Sequence, residues 1–226
     1  MCGRYALHAH PDVIVLQFGL PAAPQMKPRF NIAPTQEAPV VRVDPGHPEH
    51  KRELAQLRWG LIPSWSKDPS IGARMINARA ETVAAKPAFR NAFRRRRCLV
   101  PADGYYEWKV EGGRKQPYFL QPASGEPFAM AGLWEQWRSP EGKLTETYAI
   151  VTTEAAGTAR QIYDRMPVIL AQPDYEAWLS SADPGELLRP RAGVAFSVRR
   201  VSSRVNNPRF DDPQCLDEAG TGSVGE

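Results

Sequence analysis

The chain has 226 residues, of which 42% are apolar and 24% charged, with a formal net charge of +4. That length allows one sizeable core or two small ones, and the composition is ordinary for a soluble globular protein. No apolar run nears the ~20 residues of a membrane span, and no basic region followed by an apolar stretch marks a secretory signal.

Three cysteines, Cys2, Cys98 and Cys215, are an odd and sparse set for a disulfide framework. Their spacing also lacks the close pair typical of zinc sites. The chain is therefore expected in the cytoplasm or at the nucleoid, and without a metal or other cofactor. Charge is unevenly spread: residues 1–100 hold 16 Lys and Arg against 7 Asp and Glu, whereas 101–226 hold 13 against 18. A basic first half suits a polyanion, although a solvated face would look the same.

In chain order, β-branched and aromatic runs predict a strand over 4–7, a helix over 11–18, and strands over 39–43 and 57–62. A helix follows over roughly 81–93, opening on Glu81 and closing in Arg94–Arg97, the charge order that suits a helix dipole. Strands are expected over 105–110, 118–120, 128–134 and 148–152, then a helix over 155–162 and a strand over 168–170. The last elements are a helix over 173–179 and a strand over 196–201. Residues 111–114 and 141–143 read as hairpin turns, and 45–52 as a surface loop. Strands not spaced by regular helices argue for a single α+β domain around a mainly antiparallel, barrel-like sheet. The domain is placed at 1–216, followed by a Gly-rich acidic tail, 217–226, expected to be disordered.

The N-terminus carries the first chemical signal. Removing Met1 would leave Cys2 with an amine and a thiol on adjacent carbons, both partly nucleophilic near neutrality. A 1,2-aminothiol condenses with an aldehyde: the amine forms a Schiff base, and the thiol closes on it to a thiazolidine, helped by proximity. Asn77-Ala78-Arg79 alternates along an extended segment, so Asn77 and Arg79 can face one ligand. The stretch Asp103-Gly104-Tyr105-Tyr106-Glu107-Trp108 places a carboxylate among aromatics, surroundings that raise its pKa and suit it to general acid work. Interleaved Arg and Trp without a base-reading motif suit a single strand, Arg for phosphates and Trp for stacking. Each residue taken alone reads more readily as core packing or a surface ion pair.

Taken together, the motifs MCGRY (1–5), RFNIAP (29–34), WGLIPSW (59–65), INARAET (76–82), RRCLVPADGYYEWK (96–109), AIVTTEA (149–155), DRMPVIL (164–170) and VNNP (205–208) resemble the SOS-response-associated peptidase (SRAP) family. The resemblance implies capture of abasic sites in single-stranded DNA as a thiazolidine on Cys2, with lyase-type chemistry and a family association with peptidase activity. It implies that Asn77 positions the sugar and that Glu107 moves protons in ring opening. It further implies that Arg4, Arg79 and Arg165 hold phosphates, with Thr152 beside the strand. Pro34 and Trp108 would stack at the lesion, and Trp65 would pack against the neighbouring strand.

Two positions depart from the family pattern. Tyr163 stands where most members have a proton-shuttling histidine, and a phenol is the poorer base at neutral pH. None of His8, His10, His47 and His50 lies in a matching motif. Ser66 follows Trp65 where a second tryptophan is common. Two other readings fit an N-terminal cysteine: an autoprocessing N-terminal-nucleophile peptidase, and a DNA reader without catalysis.

Overall fold

Short β-branched and aromatic runs, cut by proline and glycine, favour strands over long helices. The computed structural model, which describes residues 2–22, 25–43, 51–190 and 195–219, is built accordingly. Its elements in order are β1 (Tyr5–Leu7), α1 (Pro11–Phe18), β2 (Arg29–Ile32), β3 (Glu37–Val43), β4 (Arg52–Trp59) and β5 (Asn77–Arg79). Then come α2 (Arg90–Arg95), β6 (Arg97–Ala102), β7 (Gly104–Glu111), β8 (Arg114–Pro122), β9 (Phe128–Arg138) and β10 (Leu144–Glu154). The last are β11 (Arg165–Pro167), β12 (Ile169–Leu170), α3 (Tyr175–Ser180) and β13 (Phe196–Arg200).

Strands β4, β3, β6, β9 and β10 pair in that order, and β10 pairs β4 as well, closing a five-stranded barrel. Closure removes the unpaired edges that an open sheet exposes. Only the β10–β4 seam and the β10–β5 pairing are parallel. A second, antiparallel sheet, ordered β13-β8-β7-β1-β2, lies against the barrel. One apolar core joins them, with Tyr5, Tyr105, Leu120 and Phe196 from the second sheet sharing it with Trp59, Tyr148 and Phe128. The opposite face of that sheet packs Ala6, Tyr106 and Phe119 under Val201, Val205 and Cys215. This is the mainly antiparallel, barrel-like single domain with short helices that the sequence predicts. No helix among the described residues is long and apolar enough to cross a membrane.

Several local expectations need correction. The helix over 81–93 is a series of turns, with α2 occupying only Arg90–Arg95. Pro87 lacks an amide proton and disfavours helical backbone at Lys86, so the helix cannot propagate through it. The helix over 155–162 shrinks to a 3-10 turn, Gly157–Gln161, entered through Gly157 at φ 57°. Strand β6 starts at Arg97, read as a helix end, because β3 and β9 pair with it from both sides. Arg52 belongs to β4, shortening the 45–52 loop, and residues 44–50 lie outside the described residues. Asp217 accepts a hydrogen bond from the Ser202 amide (2.9 Å) and Glu218 bridges Val201, so the start of the expected tail is paired. Residues 220–226 lie outside the described residues.

Candidate active site

Strand alternation sorts the two central motifs onto opposite faces. On β7, Tyr105 and Glu107 face the main core, while Tyr106 packs on the other side with Trp108 against it. Cys2 belongs to the main core and is fully buried. Burial raises the Cys2 thiol pKa, and the Glu107 carboxylate raises it further. Glu107, 4% exposed, is itself pushed up to about 7, first by burial and also by Asp164. Cys2 and Glu107 both act on the Tyr105 phenol, which burial already raises. The three groups therefore form one electrostatically coupled, dry cluster.

Asn77 reaches this cluster because the backbone before it is drawn tightly in. Gly60, at φ 125°, approaches Gly72 so closely that a Cβ would lie 2.5 Å from the Gly72 carbonyl oxygen. The Leu61 amide then bonds the Met75 carbonyl (3.1 Å), and Trp59 Nε1 donates to Ile76 O (2.9 Å). Held this way, β5 pairs in parallel with β10, Asn77 opposite Ile150 and Arg79 opposite Thr152. Asn77 Nδ2 donates to the Cys2 carbonyl at 2.9 Å. The buried Asn77 Oδ1 and Tyr105 hydroxyl have no hydrogen-bond partner among the described residues. Leaving such atoms unsatisfied is costly, which makes them docking points for a polar ligand. Gly104 is similarly constrained, since a Cβ would enter the Phe119 ring at 2.2 Å. Asp103 holds the turn after β1 by accepting from the His8 and Ala9 amides.

In front of this cluster opens a cleft of about 1250 Å³ lined by Asn77, Arg79, Thr152, Tyr163 and Arg165 among others. Five expected site residues thus meet, and Asn77 links them to Cys2. Arg79 is exposed and has no ion-pair partner among the described residues. Arg165 is committed: it grips Glu81 in a two-pronged pair (2.6 and 3.1 Å) and donates to the Thr152 carbonyl at 2.8 Å. The arginine holds the Glu81 carboxyl below its usual range. Thr152 is 1% exposed, and its contacts hold Arg165. Tyr163 stands 37% exposed at the cleft wall.

The remaining expected residues lie elsewhere. Arg4 is half-buried, and burial lowers its pKa. It and Trp108 both reach Asn206, Arg4 through the carbonyl (3.5 Å) and Trp108 Nε1 through the side-chain oxygen (2.7 Å). Pro34 is half-buried in a turn whose Gln36 donates to the Pro208 carbonyl at 3.4 Å. Pro34 and Trp108 therefore flank the same C-terminal segment. Trp65 is 58% exposed and is not among the cleft residues.

Sequence reasoning missed Arg74, Lys86, Arg160 and Asp164 in the cleft wall, and the partnership of Glu81 with Arg165. It also missed that Asn31 ties the RFN and VNNP motifs together, donating to the carbonyls of Val205, Asn207 and Phe210. Clustering of basic residues around INARAET was the available signal for Arg74 and Lys86. Nothing local signalled the pairings across more than 80 residues of sequence.

Comparison with known proteins follows the same lines. The family model "SOS response associated peptidase (SRAP)" matches residues 1–208. The chain is 40% identical to the abasic site processing protein YoqW of Bacillus subtilis, over 96% of this chain and 99% of that one. It is 34% identical to the abasic site processing protein HMCES of Gallus gallus, over 84% of this chain and 66% of that one. A crystal structure of a Bacteroides thetaiotaomicron protein superimposes with a TM-score of 0.83 at 26% identity, covering 96% of this chain and all 100% of the other. A Bordetella bronchiseptica protein gives 0.77 at 27% identity, with 89% and 100% covered.

Proposed function

We propose that this chain, which belongs to the SOS response associated peptidase (SRAP) family, processes abasic sites in single-stranded DNA by covalent capture on Cys2. The observation that carries the reading is the meeting of buried Cys2 and Glu107 with half-buried Asn77, which itself lines a cleft with cations at its wall. Abasic-site processing is the activity in the names of the relatives that the chain matches over most of its length.

In this mechanism, loss of Met1 turns the Cys2 nitrogen into an amine. Desolvation in the buried cluster disfavours its charged form and keeps it nucleophilic. The amine attacks the aldehyde of the ring-opened sugar to give a carbinolamine, and Glu107, poised near neutrality, donates the proton with which water leaves. The thiol then adds across the imine: a carbon–sulfur bond forms, Glu107 relays the thiol proton to nitrogen, and a five-membered thiazolidine results. Burial keeps the thiol protonated until that step, so the amine reacts first. Asn77 Oδ1 and the Tyr105 hydroxyl supply polar partners for the opened sugar. Arg79 would hold a phosphate directly, whereas Arg165 would share its guanidinium between Glu81 and the strand.

The test is intact mass spectrometry of the protein mixed with an oligonucleotide bearing one abasic site. Loss of Met1 and a denaturant-resistant adduct are expected, and Cys2→Ala should abolish the adduct. Cys2→Ser should keep the amine, giving a Schiff base trapped only by borohydride. An undiminished adduct on Cys2→Ala would end the thiazolidine reading. A peptidase would instead cleave a peptide substrate, and a reader would bind the lesion equally with or without Cys2.

A further inference from the structure

The basic residues on this molecule fall into two populations. Several arginines outside the cleft region are committed to carboxylates: Arg29 to Asp211, Arg42 to Glu53 and Glu146, Arg52 to Glu176, and Arg204 to Asp212. The segment running from the cleft wall through α2 differs. Its cations Arg74, Arg79, Lys86, Arg90, Arg94 and Arg95 are all exposed, and among the described residues none has an ion-pair partner. Between Pro69 and Ala102 the only carboxylate is Glu81, and Arg165 already holds it. Arg79 also acts on the Glu81 carboxylate and Arg74 on that of Asp68, which leaves Lys86, Arg90, Arg94 and Arg95 as like charges along one segment that repel one another unless an anion meets them.

These cations lead somewhere. Arg74, Arg79 and Lys86 line the lesion cleft. Arg90 and Arg94, four residues apart on α2, are neighbours about 6 Å apart along the helix axis. At the far end, Arg94, Arg95 and Arg96 converge with Asn91 and Ser64 on a second, smaller cleft of about 320 Å³. The exposed Trp65 directly follows Ser64.

Helix capping does not explain Arg94 and Arg95, because their buried neighbour Arg97 does that work. Arg97 donates to the carbonyls of Phe93 (2.6 Å), Arg94 (3.1 Å) and Ser181 (2.6 Å), and to Trp178 as well. Arg96 has its own partner in Glu135, at 3.3 Å. Arg94 and Arg95, which complement the dipole of α2 in its last turn, are thus the two guanidiniums at this cleft with no side-chain hydrogen bond or ion pair among the described residues.

We propose that the second cleft, formed by Ser64, Asn91, Arg94 and Arg95, is a binding site for the phosphate backbone of the single strand that leaves the lesion cleft along Lys86 and Arg90. The site rests on the proposed function, since it concerns the strand flanking the lesion. Its contacts are to backbone, so they add affinity and register without reading sequence.

The experiment measures fluorescence anisotropy of lesion-free single-stranded DNA of about five and about twenty nucleotides, lengths below and above the span of one cleft. The native protein is compared with Arg94→Gln/Arg95→Gln, and circular dichroism confirms that both fold. Losing two phosphate contacts on a single strand should lower the salt slope by about 1.4, so between 50 and 200 mM salt the long strand should lose about sevenfold less affinity on the variant than on the native protein. The short strand should bind both proteins alike. An unchanged slope on the long strand would overturn the site, as would an equal loss on both lengths, which would place the residues at the lesion cleft itself. Adduct formation by the native protein on a short abasic strand tests the proposed function separately. A positive adduct with no length effect would remove this site alone.

Discussion

Cys2, Asn77 and Glu107 sit at a dry inner end of the site, whereas Arg79, Lys86 and Tyr163 stand at a wet outer one. At the inner end, burial sets the chemistry: it raises both the thiol and the carboxyl, and brings Glu107 to about 7. At the outer end solvent screens each charge, so single contacts are weak and affinity must come from several cations together. One substitution inside should therefore disable the reaction, while one outside should only trim binding. Arg165 lies between these regimes, since its fork is held by Glu81 and Thr152 before any strand arrives.

The sharpest way to break this contrast is Glu107→Gln. On the proposed role of Glu107 as proton shuttle, adduct formation should slow by about 10²- to 10⁴-fold in a quench-flow or gel time course. The same change should stabilise the fold at alkaline pH. A carboxyl raised from 4.5 to about 7 by folding binds its proton more tightly in the native state, so stability falls as pH climbs through that window. Chemical denaturation at pH 8 should show the Gln variant more stable by up to about 3 kcal/mol, and equal to the native protein near pH 4. Equal stability at both pH values would mean that Glu107 is not held in a desolvated site.

Arg79→Ala should act more mildly. Its expected signature is an equal loss across base sequences and a salt slope shallower by about 0.7, measured by anisotropy. A loss confined to some sequences would show that Arg79 reads bases. Smallest is the effect of Tyr163→His. An imidazole at that cleft wall, beside Asp164, should speed capture and release severalfold and add a titration near pH 6–7 to the rate. Unchanged rates would leave Glu107 as the sole proton-transfer group of the two.

Many of the strands and the presence of a barrel were legible because apolar alternation and turn residues are local signals. The hairpin at Gly112 and Gly113, for example, has the positive φ values of 54° and 78° that its sequence invites. Cys2 and Glu107 were legible as chemistry, since an aminothiol and a carboxylate among aromatics announce their reactivity by type. Helix 81–93 misled because its charge order suits a dipole, yet Pro87 stops propagation. Thr152 and Arg165 were read as strand contacts, whereas the fold joins them to each other and to Glu81.

The amino-acid sequence by itself determined which groups exist, their intrinsic reactivity and the alternation that turns Tyr105 and Glu107 to one face of β7 and Tyr106 and Trp108 to the other. Tertiary structure alone decided which groups are dry and which are paired. Burial depends on what closes over a residue, and the Asp164 carboxylate that adds to the rise at Glu107 comes from a segment distant in sequence. Pairing depends on reach, and Glu81 meets Arg165 across 84 residues because β5 and β11 both pair with β10. The same reasoning separates Arg97 from Arg94 and Arg95: adjacent and chemically identical, they part because only Arg97 points inward to the carbonyls that need it.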